Sequence, residues 1–300
     1  MNEQRLNAYL DLIQQLLSCP SEERPQILQE NQELLDRDFS QVLLEESQYL
    51  LQVGRIQEAE FLINLSQQLL IPGSPHYNRD YHSFLMEVLQ AVLESQGNPQ
   101  VVYPILAANQ DKLNQTLVKL YPNWANNILS QVAPAQAPSY AVDFGNFSNL
   151  IKDFPLGNRA SNLDIAIIGY ELVLNIFTRD KFSQEWATVQ NNLGSAYSDK
   201  ITGNRAQNID SAIACFQRAL EVRTRQDFPQ DWAATQNNLG SAYSDKITGN
   251  RAQNIDSAIA CFQRALEVRT RQDFPQDWAA TQNNLGSAYS DKITGNRAQN

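Results

Sequence analysis

The sequence predicts an all-α fold whose second half is a solenoid of helical hairpins. Three observations carry this. A unit of 46 residues recurs along the chain. Apolar residues inside each unit fall three and four apart, as one face of a helix requires. Glycine breaks that pattern at the same inner place in each copy, and proline opens the last two copies.

The run FPQDWAATQNNLGSAYSDKITGNRAQN begins at Phe228 and recurs unchanged at Phe274. One period earlier, 182–227 matches 228–273 except at Ser183/Pro229, Glu185/Asp231, Thr188/Ala234 and Val189/Thr235. Earlier still, Gly157–Asp180 keeps the pattern with different residues. Each unit reads as two helices. The first spans about Gln230–Asp245, with Trp232, Gln236, Leu239 and Tyr243 on one stripe. Asp231 suits its first turn, where the helix dipole favours an acid. The break is ITGNR, with Gly249 as the turn residue. The second helix opens at Asn254, an N-cap by residue type. It carries an apolar stripe of Ile255, Ala258, Ile259, Phe262, Ala265 and Leu266. Arg264, Arg269 and Arg271 load its C-terminal end, and DFP closes the unit, since the residue before a proline leaves the helical region.

Residues 1–138 read as a separate helical region that caps the solenoid. Helices are expected over Asn2–Ser18, Gln26–Leu35, Phe39–Val53, Arg55–Leu70, Tyr81–Ser95, Val101–Lys119 and Asn123–Val132. Residues 39–70 form a degenerate repeat, with Gly54 in the turn and Ser47 and Ser66 where its helices meet. Pro72–Pro75 and Gly97–Pro99 are breakers. The run APAQAP, Ala133–Pro138, is the expected linker to the repeats at 139–300. Of these, 139–181 is degenerate, 182–227 and 228–273 are complete, and 274–300 is partial.

Composition narrows the function. The net charge is −10, and 182–300 hold 12 acids and 12 bases, so the whole excess lies in 1–181. An acidic half beside a neutral half argues against nucleic acid and against an anionic membrane surface, both of which need a basic face. No apolar stretch approaches membrane-spanning length. The polar, amphipathic N-terminus does not read as a signal peptide, and three cysteines cannot pair completely, so a cytoplasmic location is expected.

Leu239-Gly240-x-x-Tyr243, followed by Ala258-x-x-x-Phe262-x-x-Ala265, resembles the tetratricopeptide repeat. That repeat is normally 34 residues long. Here the inner turn and the segment between units are longer. NNLGSAY with a following ALEVRTR resembles the kinesin light-chain style of repeat. With LDLIQQLLSCPSEE, AEFLINLSQQL, FLMEVLQAV and GNPQVVYPIL, nearly the whole chain resembles the N-terminal half of bacterial, chiefly cyanobacterial, proteins that join such repeats to a caspase-like CHAT domain. The resemblance implies a right-handed solenoid whose first helices line a groove, in the recognition or regulatory half of a longer protein. No CHAT domain lies in these residues.

The candidate sites follow from the repeats. Asn191, Asn192 and Ser195 fall opposite the stripe that meets the partner helix, and recur as Asn237, Asn238, Ser241 and as Asn283, Asn284, Ser287. Carboxamides donate and accept, so such a ladder can grip a peptide backbone whatever its side chains. The same asparagines can instead bond one unit to the next. Arg205, Arg251 and Arg297, from the recurrent TGNR, read either as a ladder for acidic ligands or as residues that order the turn. Trp186, Trp232 and Trp278 read as packing between units. Cys215 and Cys261 duplicate one position, which suits a helix residue better than a nucleophile assembled once. No CxxC, HExxH or phosphate loop occurs, so no metal, cofactor or catalytic residue is expected. The expected function is a non-enzymatic scaffold that binds a peptide or partner helix. The alternatives are a structural or self-assembling spacer and an enzyme site in the N-terminal region, where His76, His82 and Cys19 lie. The third copy stops after its first helix and turn, so the sequence reads as part of a longer chain, with self-association through the open repeat as a further expectation.

Overall fold

The computed structural model describes the backbone of residues 3–69 and 75–298. Among the described residues all regular structure is helical and no strand occurs. The chain divides into two compact units at Glu87/Val88.

The first unit contains α1 (Glu3–Ser18), α2 (Arg24–Glu30), α3 (Arg37–Gln52) and α4 (Ile56–Leu69). One apolar core joins them, with Tyr9, Leu16, Phe39, Leu43 and Leu62 withdrawn from solvent. Asp36 organises its entry. Its carboxylate accepts from Phe39 N at 2.8 Å, capping α3, and from the Tyr9 hydroxyl and the Arg5 guanidinium, each at 2.6 Å. Helices α3 and α4 pair about Gly54, whose φ of 80° only glycine adopts readily. Ser66 does sit where they meet, but its partner is Ser40 at 3.2 Å, while Ser47 bonds back to its own helix at Leu44 O.

Helix α5 (Pro75–Ser95) spans the division. Of the expected breaker Pro72–Pro75, residues 72–74 lie outside the described residues and Pro75 opens α5. The second unit continues with α6 (Pro99–Ala108), α7 (Gln115–Gln131), α8 (Ala137–Asp153) and α9 (Arg159–Leu174). It ends with α10 (Ser183–Asp199), α11 (Arg205–Leu220), α12 (Pro229–Asp245), α13 (Arg251–Leu266) and α14 (Pro275–Ala298). Helices α8, α10, α12 and α14 start 46 residues apart, as do α9, α11 and α13.

Four features differ in detail from the expectations. First, the compact units divide at Glu87/Val88, and residue 138 falls inside the second of them. Ala133–Gln136 is a tight turn, closed by Gln136 N to Ala133 O at 2.8 Å, and Pro138 sits in the first turn of α8, where a missing N–H costs nothing. Second, Val101–Lys119 is not one helix. Asn114 caps α7 by accepting from Thr116 N at 2.8 Å, and α7 then runs through Pro122, its buried stripe of Leu117, Tyr121, Trp124 and Ala125 outweighing the lost bond. Third, the second helix of a unit opens four residues before Asn254. Asn250 is the cap, accepting from Gln253 N at 3.1 Å, and Gly249 before it has φ 76°. Asn254 is buried inside α13 and donates to Thr248 O at 2.8 Å and Lys246 O at 3.3 Å, stapling the turn. Asn208 does the same for Thr202 O. Fourth, the last copy has no turn after its first helix: α14 stays helical through Ala298. The residue equivalent to Asn254 is Asn300, which lies outside the described residues.

Packing in the second unit follows the repeat. Helices α8 and α9, α10 and α11, and α12 and α13 form hairpins, and each second helix packs on the next first helix. The first helices also touch one another in series. Phe216 and Phe262 are each about 1% exposed, and such burial contributes roughly 2–3 kcal/mol per ring. They reach that depth because Gly194 and Gly240 face them. A Cβ there would lie 2.8 Å from the Phe216 ring and 2.7 Å from the Phe262 ring.

Candidate functional site

Many charged side chains in the repeats pair between units. Lys200 pairs with Asp164 at 2.7 Å, and Lys246 with Asp210. Arg179 pairs with Glu221 at 2.6 Å, and Arg225 with Glu267 at 2.5 Å. Arg205 reaches Asp245 at 2.9 Å and the helix-end carbonyl of Ser198, and Arg251 reaches Asp291 at 2.9 Å and Ser244 O. Arg159 repeats this arrangement with Lys152 O. Arg205 and Arg251 thus each join a helix-end carbonyl before their own turn to a carboxylate of the next unit. The side chain of Arg297 lies outside the described residues. Exposed pairs of this kind add little stability singly.

The asparagines also meet between units. Asn238 donates to Asn191 Oδ1 at 3.4 Å, Asn284 to Asn237 Oδ1 at 3.2 Å, and Asn192 to Asn149 Oδ1 at 3.0 Å. Asn191 Oδ1 further accepts from Thr235 at 3.2 Å, and its amide bonds Asn192 at 3.3 Å. The carboxamides are therefore half-buried rungs, with much of their capacity already used. Ser195 is half-buried, Ser241 is exposed and bonds Asn237 O at 3.3 Å, and Asn283 and Ser287 are exposed on α14.

Beneath the rungs, the three junctions between first helices differ. At α10/α12 the space is filled by Arg223. Its side chain is 9% exposed, and it donates to Thr235 and Thr188 at 3.0 Å each, with Asp231 at 3.7 Å. At α12/α14 the equivalent Arg269 reaches Thr281 at 3.0 Å and Asp277 at 3.6 Å. Ala234 replaces Thr188 there, and a cavity of about 240 Å³ remains. Burial lowers the pKa of both arginines, and the aspartates oppose that shift.

At α8/α10 the arginine is absent. Phe177 and Val189 stand where later units carry arginine and threonine, and Gly145 stands where they carry asparagine. A cavity of about 310 Å³ opens. Tyr170, Val173, Phe177 and Val189 form its buried floor, and Val142, Gln184, Glu185 and Thr188 its exposed rim. Tyr170 donates to Asn149 at 2.6 Å, which fixes one wall. An added Cβ at Gly145 would meet nothing within 4 Å. Sequence reasoning missed this cavity. Its signal was present, as a paired exchange at Phe177 and Val189 within otherwise regular copies.

The tryptophans are partly buried where units follow one another, with Arg179 over Trp186 at 5.9 Å and Arg271 over Trp278 at 5.7 Å. Cys215 and Cys261 are buried on α11 and α13, and loss of water pushes both thiols up to about 11, which leaves little thiolate at neutral pH. His82 is exposed, and the side chain of His76 lies outside the described residues. Among the described residues no group of His, Cys, Asp and Glu is arranged to hold a metal ion, and no helix is long and apolar enough to cross a membrane. No family model and no curated protein matches the chain.

Proposed function

We propose that the second unit is a protein-binding scaffold, and that the serial face of α8, α10, α12 and α14 receives an extended peptide. One observation carries this reading: cavities of about 310 and 240 Å³ open at the α8/α10 and α12/α14 junctions, among side chains able to donate and accept. Such concave sites with a few polar groups are where ligands settle. The tetratricopeptide-like pattern agrees, and we extend it to a right-handed superhelix with these helices on the concave side, serving the recognition half of a CHAT-type protein in the cytoplasm. The inter-unit asparagine bonds favour a second reading, a purely structural spacer. Peptide-display selection against the full chain, followed by hydrogen-exchange footprinting, separates them. The scaffold reading expects protection on α8, α10 and α12. Failure to enrich any peptide, or a footprint confined to α9, α11 and α13, removes it.

A further inference from the structure

The first turns of α10, α12 and α14 carry an acid at one repeat position: Glu185, Asp231 and Asp277. Asp231 lies 3.7 Å from Arg223 and Asp277 3.6 Å from Arg269, each arginine coming from the unit before. The residue equivalent to those arginines before Glu185 is Phe177. Among the described residues no ion pair forms with Glu185. The junction has thus lost its built-in cation and kept its carboxylate, and Gly145 leaves open the space that asparagine fills elsewhere.

We propose that the α8/α10 cavity takes an arginine side chain from a peptide ligand, which supplies the cation that Phe177 displaced. This rests on the peptide-groove reading and names what that groove selects. Arginine fits both halves of the site. Its methylene stem covers the apolar floor formed by Val173, Phe177 and Val189 while the head stays polar at the rim. Glu185 offers a carboxylate at the rim, and Gln184 beside it an amide oxygen. A purely apolar residue would leave Glu185 without a counter-charge, and an acidic one would oppose it.

The test is an amide-resolved NMR titration of the full chain with acetyl-Gly-Gly-Arg-Gly-Gly-amide and its leucine and glutamate counterparts. The arginine peptide should give saturable shifts at Gly145, Thr188 and Asn192, and the other two should bind at least about fivefold more weakly, the scale of one exposed charge pair. E185Q should weaken the arginine peptide about fivefold. G145N, which returns the side chain found at Asn191, should weaken it about tenfold or more by occupying the space. F177R with V189T should close the site with the chain's own cation. Equal binding of the leucine peptide, no saturable shift with arginine, or indifference to both E185Q and G145N overturns the assignment. The groove reading fails separately. Display-selected peptides that footprint on α10–α14 but lack arginine and ignore G145N keep the groove and sink this inference. A footprint away from the first helices, with the arginine titration still saturating, does the reverse.

Discussion

Replacing Gly240 with alanine tests the stacking directly. The new methyl would lie 2.7, 2.9 and 3.0 Å from three ring atoms of Phe262, all well inside van der Waals contact. The ring cannot swing away, because Phe262 is 1% exposed and wedged between α12 and α13. Overpacking of this kind costs about 1–3 kcal/mol. The helix itself would gain up to about 1 kcal/mol, the propensity difference between alanine and glycine. With the full helix gain set against it, the net expectation is a loss of up to about 2 kcal/mol. Gly286 occupies the same repeat position on α14, and a Cβ there meets nothing within 4 Å. Only the propensity gain remains, so G286A should stabilise by up to about 1 kcal/mol. Urea unfolding of the full chain, with hydrogen exchange reporting α12, α13 and α14 separately, measures both. Equal effects of the two substitutions, or a stabilising G240A, would refute the account of why the repeat keeps a glycine in mid-helix.

Three further outcomes are expected. Asn250→Ala should cost about 1 kcal/mol as a lost cap, and Asn254→Ala about 2 kcal/mol, because it orphans the Thr248 carbonyl and leaves Lys246 O only its long bond from Arg251; amide exchange in the 246–251 turn would show the difference. Arg223→Ala should cost about 3 kcal/mol by thermal unfolding, whereas R223F with T235V, copying Phe177 and Val189, should stay within about 1 kcal/mol of the parent. Stability should fall as pH rises from about 9 to 11, since the unfolded chain sheds thiol protons that buried Cys215 and Cys261 keep, at about 2 kcal/mol per cysteine. The C215A/C261A variant should lose that part of the slope, leaving the fall above about pH 10 from Tyr9, Tyr121, Tyr170 and Tyr197, which burial raises too.

Much of the fold was legible because the chain repeats itself. Period, apolar stripe and glycine turn place α10–α13 to within a few residues. The cap at Asn250 was missed because Asn250 and Asn254 are the same residue type, and only the turn's φ near 76° decides which one faces the free N–H groups. The single helix expected over Val101–Lys119 failed because nothing in its periodicity marks Leu113 as a buried break. The asparagines recur at one repeat position in the sequence, but whether Asn238 reaches Asn191 or solvent depends on the distance between neighbouring helices. Gly145 and Phe177 were invisible while the early copy was treated as merely diverged. Aligned position by position, they alter one junction together.

That alteration makes the units unequal as parts in recombination. Excising 182–227 would join Lys181 to Phe228 and set the Thr235 hydroxyl against the Phe177 ring, an unmatched pair. Excising 228–273 instead would set Thr281 against Arg223 and keep Thr188, the same contacts that Arg223 makes with Thr235 and Thr188 now. A gene that gains or loses whole units therefore has one silent route and one costly one. Copy number can drift among the arginine-bearing units, while the phenylalanine junction must stay beside the unit that carries Val189.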